Sequence, residues 1–168
     1  MSPAHALLAL DPPSASMGEA VAVGLRSRGV ATEVRRFAEG VPMYPLTADL
    51  VIVGLGLVPG EVVGARAVRS WLASIAAETP GQLAAAFNVR TGWALSPGQL
   101  TAGAACRVMT AAGFRLADLP MAFRTLGEAS GGPDRELARA EDWGRALADT
   151  LQLFLIAAAP VVVSGQGH

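Results

Sequence analysis

Three short stretches of the sequence combine residue types that could hold an anion or a flat ring. The first is Asp11-Pro-Pro-Ser-Ala-Ser-Met-Gly-Glu19, which brings the hydroxyls of Ser14 and Ser16 together just ahead of helical spacing. Loop amides, hydroxyls and a helix N-terminus converging on one point make a phosphate site. The same stretch has a competing use. Ser16-Met-Gly-Glu19 fits a capping box, with Ser16 as N-cap and Glu19 reaching back to its amide, and this consumes the donors a phosphate would need. Unit charges 4 Å apart repel by about 4 kcal/mol at an effective dielectric of 20, so a phosphate beside Glu19 requires that side chain to swing away.

The second stretch is Gly54-Leu-Gly-Leu-Val-Pro-Gly-Glu-Val-Val-Gly64. Gly54 and Gly56 could bring backbone amides to a ring edge beside Leu55; otherwise this is a surface loop. It is no dinucleotide fingerprint, because Gly54-x-Gly56-x-x-Pro59 lacks the third glycine. The third stretch is Asn88-Val-Arg-Thr-Gly-Trp-Ala-Leu-Ser-Pro-Gly98. Trp93 could stack on a flat ring, with Asn88, Thr91 and the Gly92 backbone at its edge. Alternatively Trp93 covers a sheet edge or an oligomer contact, and Arg90 anchors the loop by a salt bridge.

Other chemistries lack their parts. Two distant histidines, His5 and His168, and one cysteine, Cys106, give no metal-ligand cluster. The chain has no Gly-x-Ser-x-Gly elbow and no Walker motif. Cys106 lies between Ala105 and Arg107 on a helix, where a packed, inert thiol is expected. A single thiol forms no internal disulfide.

The elements that must position the three stretches follow from hydrophobic periodicity. Ala6–Leu10 is an apolar run ended by Asp11-Pro-Pro, as expected of a strand buried on both faces. Helical spacing over Gly18–Arg28 closes at Gly29. Thr32–Phe37 is a polar, edge-type strand. Leu50–Val53 is a buried strand ended by Gly54. Val68, Trp71, Leu72 and Ile75 share a helical face terminated at Thr79-Pro-Gly81. Leu83–Phe87 is a buried strand. Leu100, Ala104, Val108 and Ala111 form a helical stripe stopped by Gly113, and Met121–Phe123 is a last strand. Leu137, Ala140, Gly144, Leu147, Leu151 and Phe154 mark a long final helix. The stretch from Phe37 to Asp49 is an irregular crossover. Strands separated by helices give a mostly parallel sheet covered on both faces. In such sheets ligands bind outside the carboxyl ends of the strands at a topological switch point, where the three stretches fall.

Val68-Arg-Ser-Trp-Leu72, Ala84-Ala-Ala-Phe-Asn-Val-Arg90, Ala111-Ala-Gly-Phe-Arg115 and Glu141-Asp-Trp-Gly-Arg-Ala-Leu147, in this element order, resemble the flavodoxin family over Ala6 to Leu151. The resemblance implies an α/β fold: a five-stranded parallel sheet in the order 2-1-3-4-5 with helices on both faces. It also implies flavin mononucleotide (FMN) as cofactor. The phosphate would sit at Ser14, Ser16, Met17 and Gly18. The ring would lie between Gly54, Leu55 and Gly56 on one side and Asn88, Thr91, Gly92 and Trp93 on the other. The family's first loop runs roughly Ser/Thr-x-Ser/Thr-Gly-x-Thr; here Gly18 comes one place late and the closing Thr has no counterpart.

The 168 residues suit one domain, expected over 1–152, with 153–168 as an apolar extension of the last helix and a tail. A formal net charge of −1 excludes a nucleic-acid binder of the usual basic kind and argues against a dedicated electron carrier, since such flavodoxins are strongly acidic. The apolar run Leu153–Val163, broken by Pro160, falls short of the ~20 residues of a membrane span, so a cytoplasmic protein is expected. Two functions follow from these features. One is an FMN protein for electron transfer or a flavin-dependent reduction, with a redox partner protein. The other is a flavodoxin-fold module that has lost FMN and acts in protein interaction or assembly, with a homo-oligomer through its apolar tail as one form of it, or that binds another small ligand at the same site.

Overall fold

The computed structural model describes residues 2–37, 47–57, 63–90, 100–125 and 132–161. Strand β1 (His5–Leu10) runs into a 3-10 turn (Pro12–Ser14) and helix α1 (Ala15–Ser27). Then come β2 (Ala31–Arg36), β3 (Leu50–Leu57), α2 (Val63–Ser74), β4 (Leu83–Arg90) and α3 (Ala102–Ala111). Two short strands, β5 (Arg115–Leu116) and β6 (Met121–Arg124), precede the final helix α4 (Gly132–Ala158). All pairings are parallel, in the order β2-β1-β3-β4-β5, with β6 also on β4. The fifth position is therefore shared: β5 pairs with Leu83 and Ala84, and β6 with Phe87 to Arg90.

Period-two alternation sends the central strands into two cores. Leu8, Leu10, Ile52, Ala85 and Phe87 pack under α1 and α4 with Trp143, Leu147 and Leu151. Leu7, Ala9, Val51, Val53, Ala84 and Ala86 pack under α2 and α3 with Trp71, Leu72 and Met109. Phe87, Phe123 and Trp143 meet edge to face at 5.7 to 6.1 Å, and the Trp143 indole N–H donates to Asp118 Oδ2 at 2.9 Å.

The structure moves several expected boundaries. β3 does not end at Gly54 but continues to Leu57, and β4 continues past Phe87 to Arg90. Both extensions are paired residue for residue, Gly54 with Phe87 through Leu57 with Arg90. Gly54 sits inside the sheet because a Cβ there would enter the space of the Phe87 ring and the Leu10 side chain. α1 begins at Ala15 rather than Gly18. β5 gave no sign in the sequence, being two residues long. The expected irregular crossover falls largely on residues 38–46, outside the described residues. α4 runs on without a break through Leu153 to Ala158.

Candidate functional site

The switch point lies where β1 and β3 end side by side, and Asp11 occupies it. Asp11 is extended (φ −77°, ψ 161°) and caps the 3-10 turn Pro12–Ser14. Aspartate before a proline at the first helical position suits that role, because the side chain accepts a free amide and proline lacks only an N–H that would be unpaired anyway. Its carboxylate accepts the Ser14 N–H at 3.1 Å. It also accepts the Gly56 N–H, which is shared between Oδ1 at 2.8 Å and Oδ2 at 2.7 Å. Only 6% of Asp11 is exposed. The Asp11 N–H in turn donates to the Gly54 carbonyl at 3.1 Å, tying the loop to β3 at a second point. Gly56 is required here, since a Cβ would collide with the Pro13 ring and lie 3.2 Å from Asp11 Oδ1.

This geometry fits an FMN phosphate poorly. Pro12 and Pro13 have no N–H to give. Ser14 is fully buried, its N–H committed to the Asp11 side chain and its hydroxyl to the Asp11 carbonyl at 3.0 Å. The Ala15 N–H closes the 3-10 turn on the Pro12 carbonyl. A buried carboxylate thus stands among the donors that an anion would need, and like charges at about 4 Å repel by about 4 kcal/mol per unit charge at an effective dielectric of 20. The residues do not fit the phosphate group.

The expected capping box does not form. Ser14, not Ser16, is the N-cap of α1, and its side chain makes no capping bond. The 3-10 turn seeded by the two prolines merges into the helix, which carries Ser16 and Glu19 into helical positions with both side chains exposed. Met17 and Gly18 are buried; Met17 belongs to the core beneath α1, and a Cβ on Gly18 would enter the Leu10 side chain. Leu55 faces the α2/α3 core. Asn88, expected on a loop, sits within β4, 8% exposed, and its Oδ1 accepts the Ala102 N–H at 3.3 Å. The Thr101 hydroxyl oxygen accepts the Ala104 N–H at 3.2 Å, so the N-terminus of α3 is also capped from within the chain. Thr91, Gly92 and Trp93 lie outside the described residues. Of the expected site residues that are described, Gly54, Gly56 and Ser14 are gathered around Asp11, while Ser16 faces outward and Asn88 serves α3. In the sequence Asp11 stands as part of a turn, and the Asp-Pro-Pro-Ser N-cap pattern is the signal for its role.

Elsewhere, the described residues contain no group of three or more His, Cys, Asp or Glu able to hold a metal. No helix among them is long and apolar enough to cross a membrane. His5 begins β1 at the opposite end from the switch point; its N–H donates to Asp49 Oδ2 at 2.9 Å. Cys106 is buried, and burial pushes its thiol above the ordinary cysteine value, outweighing the opposing pull of the Ala86 backbone and the Arg107 charge. Its thiolate is correspondingly scarce near neutral pH. Iodoacetamide at pH 8 should therefore alkylate Cys106 far more slowly in the folded protein than in urea, as followed by intact mass. Equal rates would contradict a packed thiol.

No protein-family model matches the chain, and no curated protein matches it in sequence. Solved structures do match. A flavodoxin from the domain Archaea superposes with a TM-score of 0.65 at 18% identity, covering 88% of this chain and 99% of that one. Oxidised flavodoxin 2 from Bacillus cereus gives 0.68 at 17% identity, covering 87% and 99%. The flavodiiron core from Synechocystis sp. PCC6803 gives 0.67 at 18% identity; 90% of this chain is covered, but only 36% of that longer one. With the parallel 2-1-3-4-5 sheet and helices on both faces, these likenesses establish that the chain has a flavodoxin-like fold.

Proposed function

We propose that this chain is a flavodoxin-fold module that does without FMN and works through contacts with other proteins. One observation carries the reading: the Asp11 carboxylate takes the Ser14 and Gly56 amides at the switch point. A helix N-terminus and a neighbouring strand amide are the donors such a fold offers to an anion, and here an internal anion holds them. The capped start of α3 supports the same reading. What the surface offers instead is apolar. Leu153 and Ile156 on the last turns of α4 are 69% and 73% exposed, and Val161 beyond them is more so. Side chains of this size on one helix end suit a protein contact.

The fold itself favours a second reading, in which FMN is bound for electron transfer or a flavin-dependent reduction. Ser16 keeps an outward-facing position in the first turn of α1. Phosphate at Ser14, Ser16, Met17 and Gly18 would then require Asp11 to release Gly56. The ring would meet Gly54, Leu55, Gly56, Asn88, Thr91, Gly92 and Trp93.

The two readings separate in a cuvette. The cofactor-free reading predicts a colourless purified protein that leaves FMN fluorescence unchanged at micromolar concentration. A yellow protein, or saturable quenching of added FMN, would establish the second reading in its place.

A further inference from the structure

At the end of the sheet opposite the switch point, the amino ends of β3 and β4 and the last turns of α4 enclose a groove of about 540 Å³. The groove exists because α4 outruns the sheet. Its 27 residues span about 40 Å at 1.5 Å per residue, whereas the eight residues of β4 span about 26 Å. The overhanging turns turn Phe154, Leu155 and Ala158 toward the groove, while Leu153 and Ile156 are exposed on the opposite side of the helix. From Leu153 to Val161 there is no charged residue.

The facing wall is acidic. Asp49, just before β3, and Glu78, in the turn before β4, both line the groove. Asp49 receives the His5 backbone N–H on one oxygen, and among the described residues neither carboxylate has a cationic partner. Arg115 lies 6.0 Å from the centre of the Phe154 ring, outside the described lining. Among the described lining residues, one side is therefore apolar and the other carries two carboxylates without an ion-pair partner. Its floor is held rigid by Gln82, 5% exposed, whose Oε1 accepts the Glu78 N–H at 2.8 Å.

We infer that this groove docks a basic, apolar segment of another protein: an arginine or lysine flanked by aliphatic side chains. The cation would meet Asp49 and Glu78, and the aliphatic groups would cover Phe154, Leu155 and Ala158. Charge complementarity selects this occupant, because an acidic segment would face two like charges and a purely apolar one would bury both carboxylates unpaired. A second copy of this chain would bring another uncharged helix end, which answers the apolar wall but not the acidic one. The inference rests on the reading of the chain as an interaction module.

The probe is a fluorescein-labelled hexapeptide alternating leucine and arginine, with a leucine–glutamate peptide as control. Fluorescence anisotropy and amide chemical shifts are followed for the full chain and for Glu78→Arg, a change at an exposed position. The expected result is saturable binding of the arginine peptide only. Amide shifts should be confined to the surroundings of Ala48, Glu78 and Leu155, and binding should weaken roughly tenfold in Glu78→Arg, as reversal of one rim charge doubles the loss from a single surface ion pair. Absence of saturable binding, equal binding of the two peptides, indifference to Glu78→Arg, or shifts elsewhere would each overturn the inference. So would a concentration-dependent dimer that buries Phe154 and Leu155 and blocks the peptide, since a second copy would then be the occupant. The same samples titrated with FMN keep the two ideas apart. FMN binding with the peptide still docking ends the cofactor-free reading and leaves the groove, whereas neither ligand binding does the reverse.

Discussion

Asp11→Ala is expected to destabilise the protein by about 3 kcal/mol, the scale of losing two hydrogen bonds to a buried charged acceptor. The Ser14 and Gly56 amides both end on that carboxylate, and both lie where side chains and prolines close them in. Removing the acceptor leaves two donors that water reaches only by opening the Pro12–Ser14 turn. Asp11→Asn keeps one carbonyl oxygen but loses the charge, and should cost about half as much. Urea unfolding followed by far-ultraviolet circular dichroism measures both. The alanine variant has a second expected property. Its vacated amides form an anion site, so millimolar phosphate should restore part of its lost stability while leaving the parent unaffected, as binding to the native state alone raises stability. Phosphate that stabilises the two proteins equally would show that Asp11 does not hold the anion position.

Gly144→Ala should cost about 3 kcal/mol or more, at the upper end of what overpacking a well-filled interface costs. α1 and α4 cross backbone to backbone. A Cβ on Gly144 would overlap the Val21 carbonyl, and one on Gly24 would overlap the Glu141 carbonyl. Neither obstacle is the tip of a flexible side chain. The helices must separate, and the contacts of Val21, Leu25, Ala140, Leu147 and Leu151 loosen with them. Gly24→Ala should behave in the same way. Gly103→Ala is the control: it lies in α3 with nothing nearer than 3.9 Å to a new Cβ, and should be neutral or stabilising by up to about 1 kcal/mol. Thermal and urea denaturation of the three variants ranks them. A Gly144→Ala protein as stable as the parent would contradict the close crossing.

The sheet was legible in the sequence because its central strands are buried on both faces. Runs such as Ala6–Leu10 and Leu50–Val53 need no partner to be recognised. Glycine hides where β3 ends. Gly54 and Gly56 looked like loop residues, yet the sheet continues through them because Phe87, Leu10 and Pro13 occupy the space their side chains would need. That reason lies in tertiary packing. The local pattern Ser16-x-x-Glu19 was real but overridden, since Pro12 and Pro13 start the turn four residues earlier. Asp11 shows the limit most plainly. Its bond to Ser14 spans three residues and follows from an N-cap pattern, whereas its bond to Gly56 spans 45 and follows only from the parallel register of β1 and β3. The groove beside α4 was half visible. The apolar stretch from Leu153 could be read directly, but its acidic wall is assembled from Asp49 and Glu78, which only the sheet brings together.

The most direct test of the central claim is the pair of Ser14 and Gly56 amide resonances, followed by two-dimensional NMR of labelled protein titrated with FMN. With the Asp11 carboxylate holding both amides, neither resonance should move as FMN is raised to large excess, and both should shift in Asp11→Asn without ligand. Saturable displacement of these two resonances in the parent protein, with matching changes at Ser16 and Met17, would mean that the carboxylate yields to the cofactor and that the chain is a flavin carrier after all.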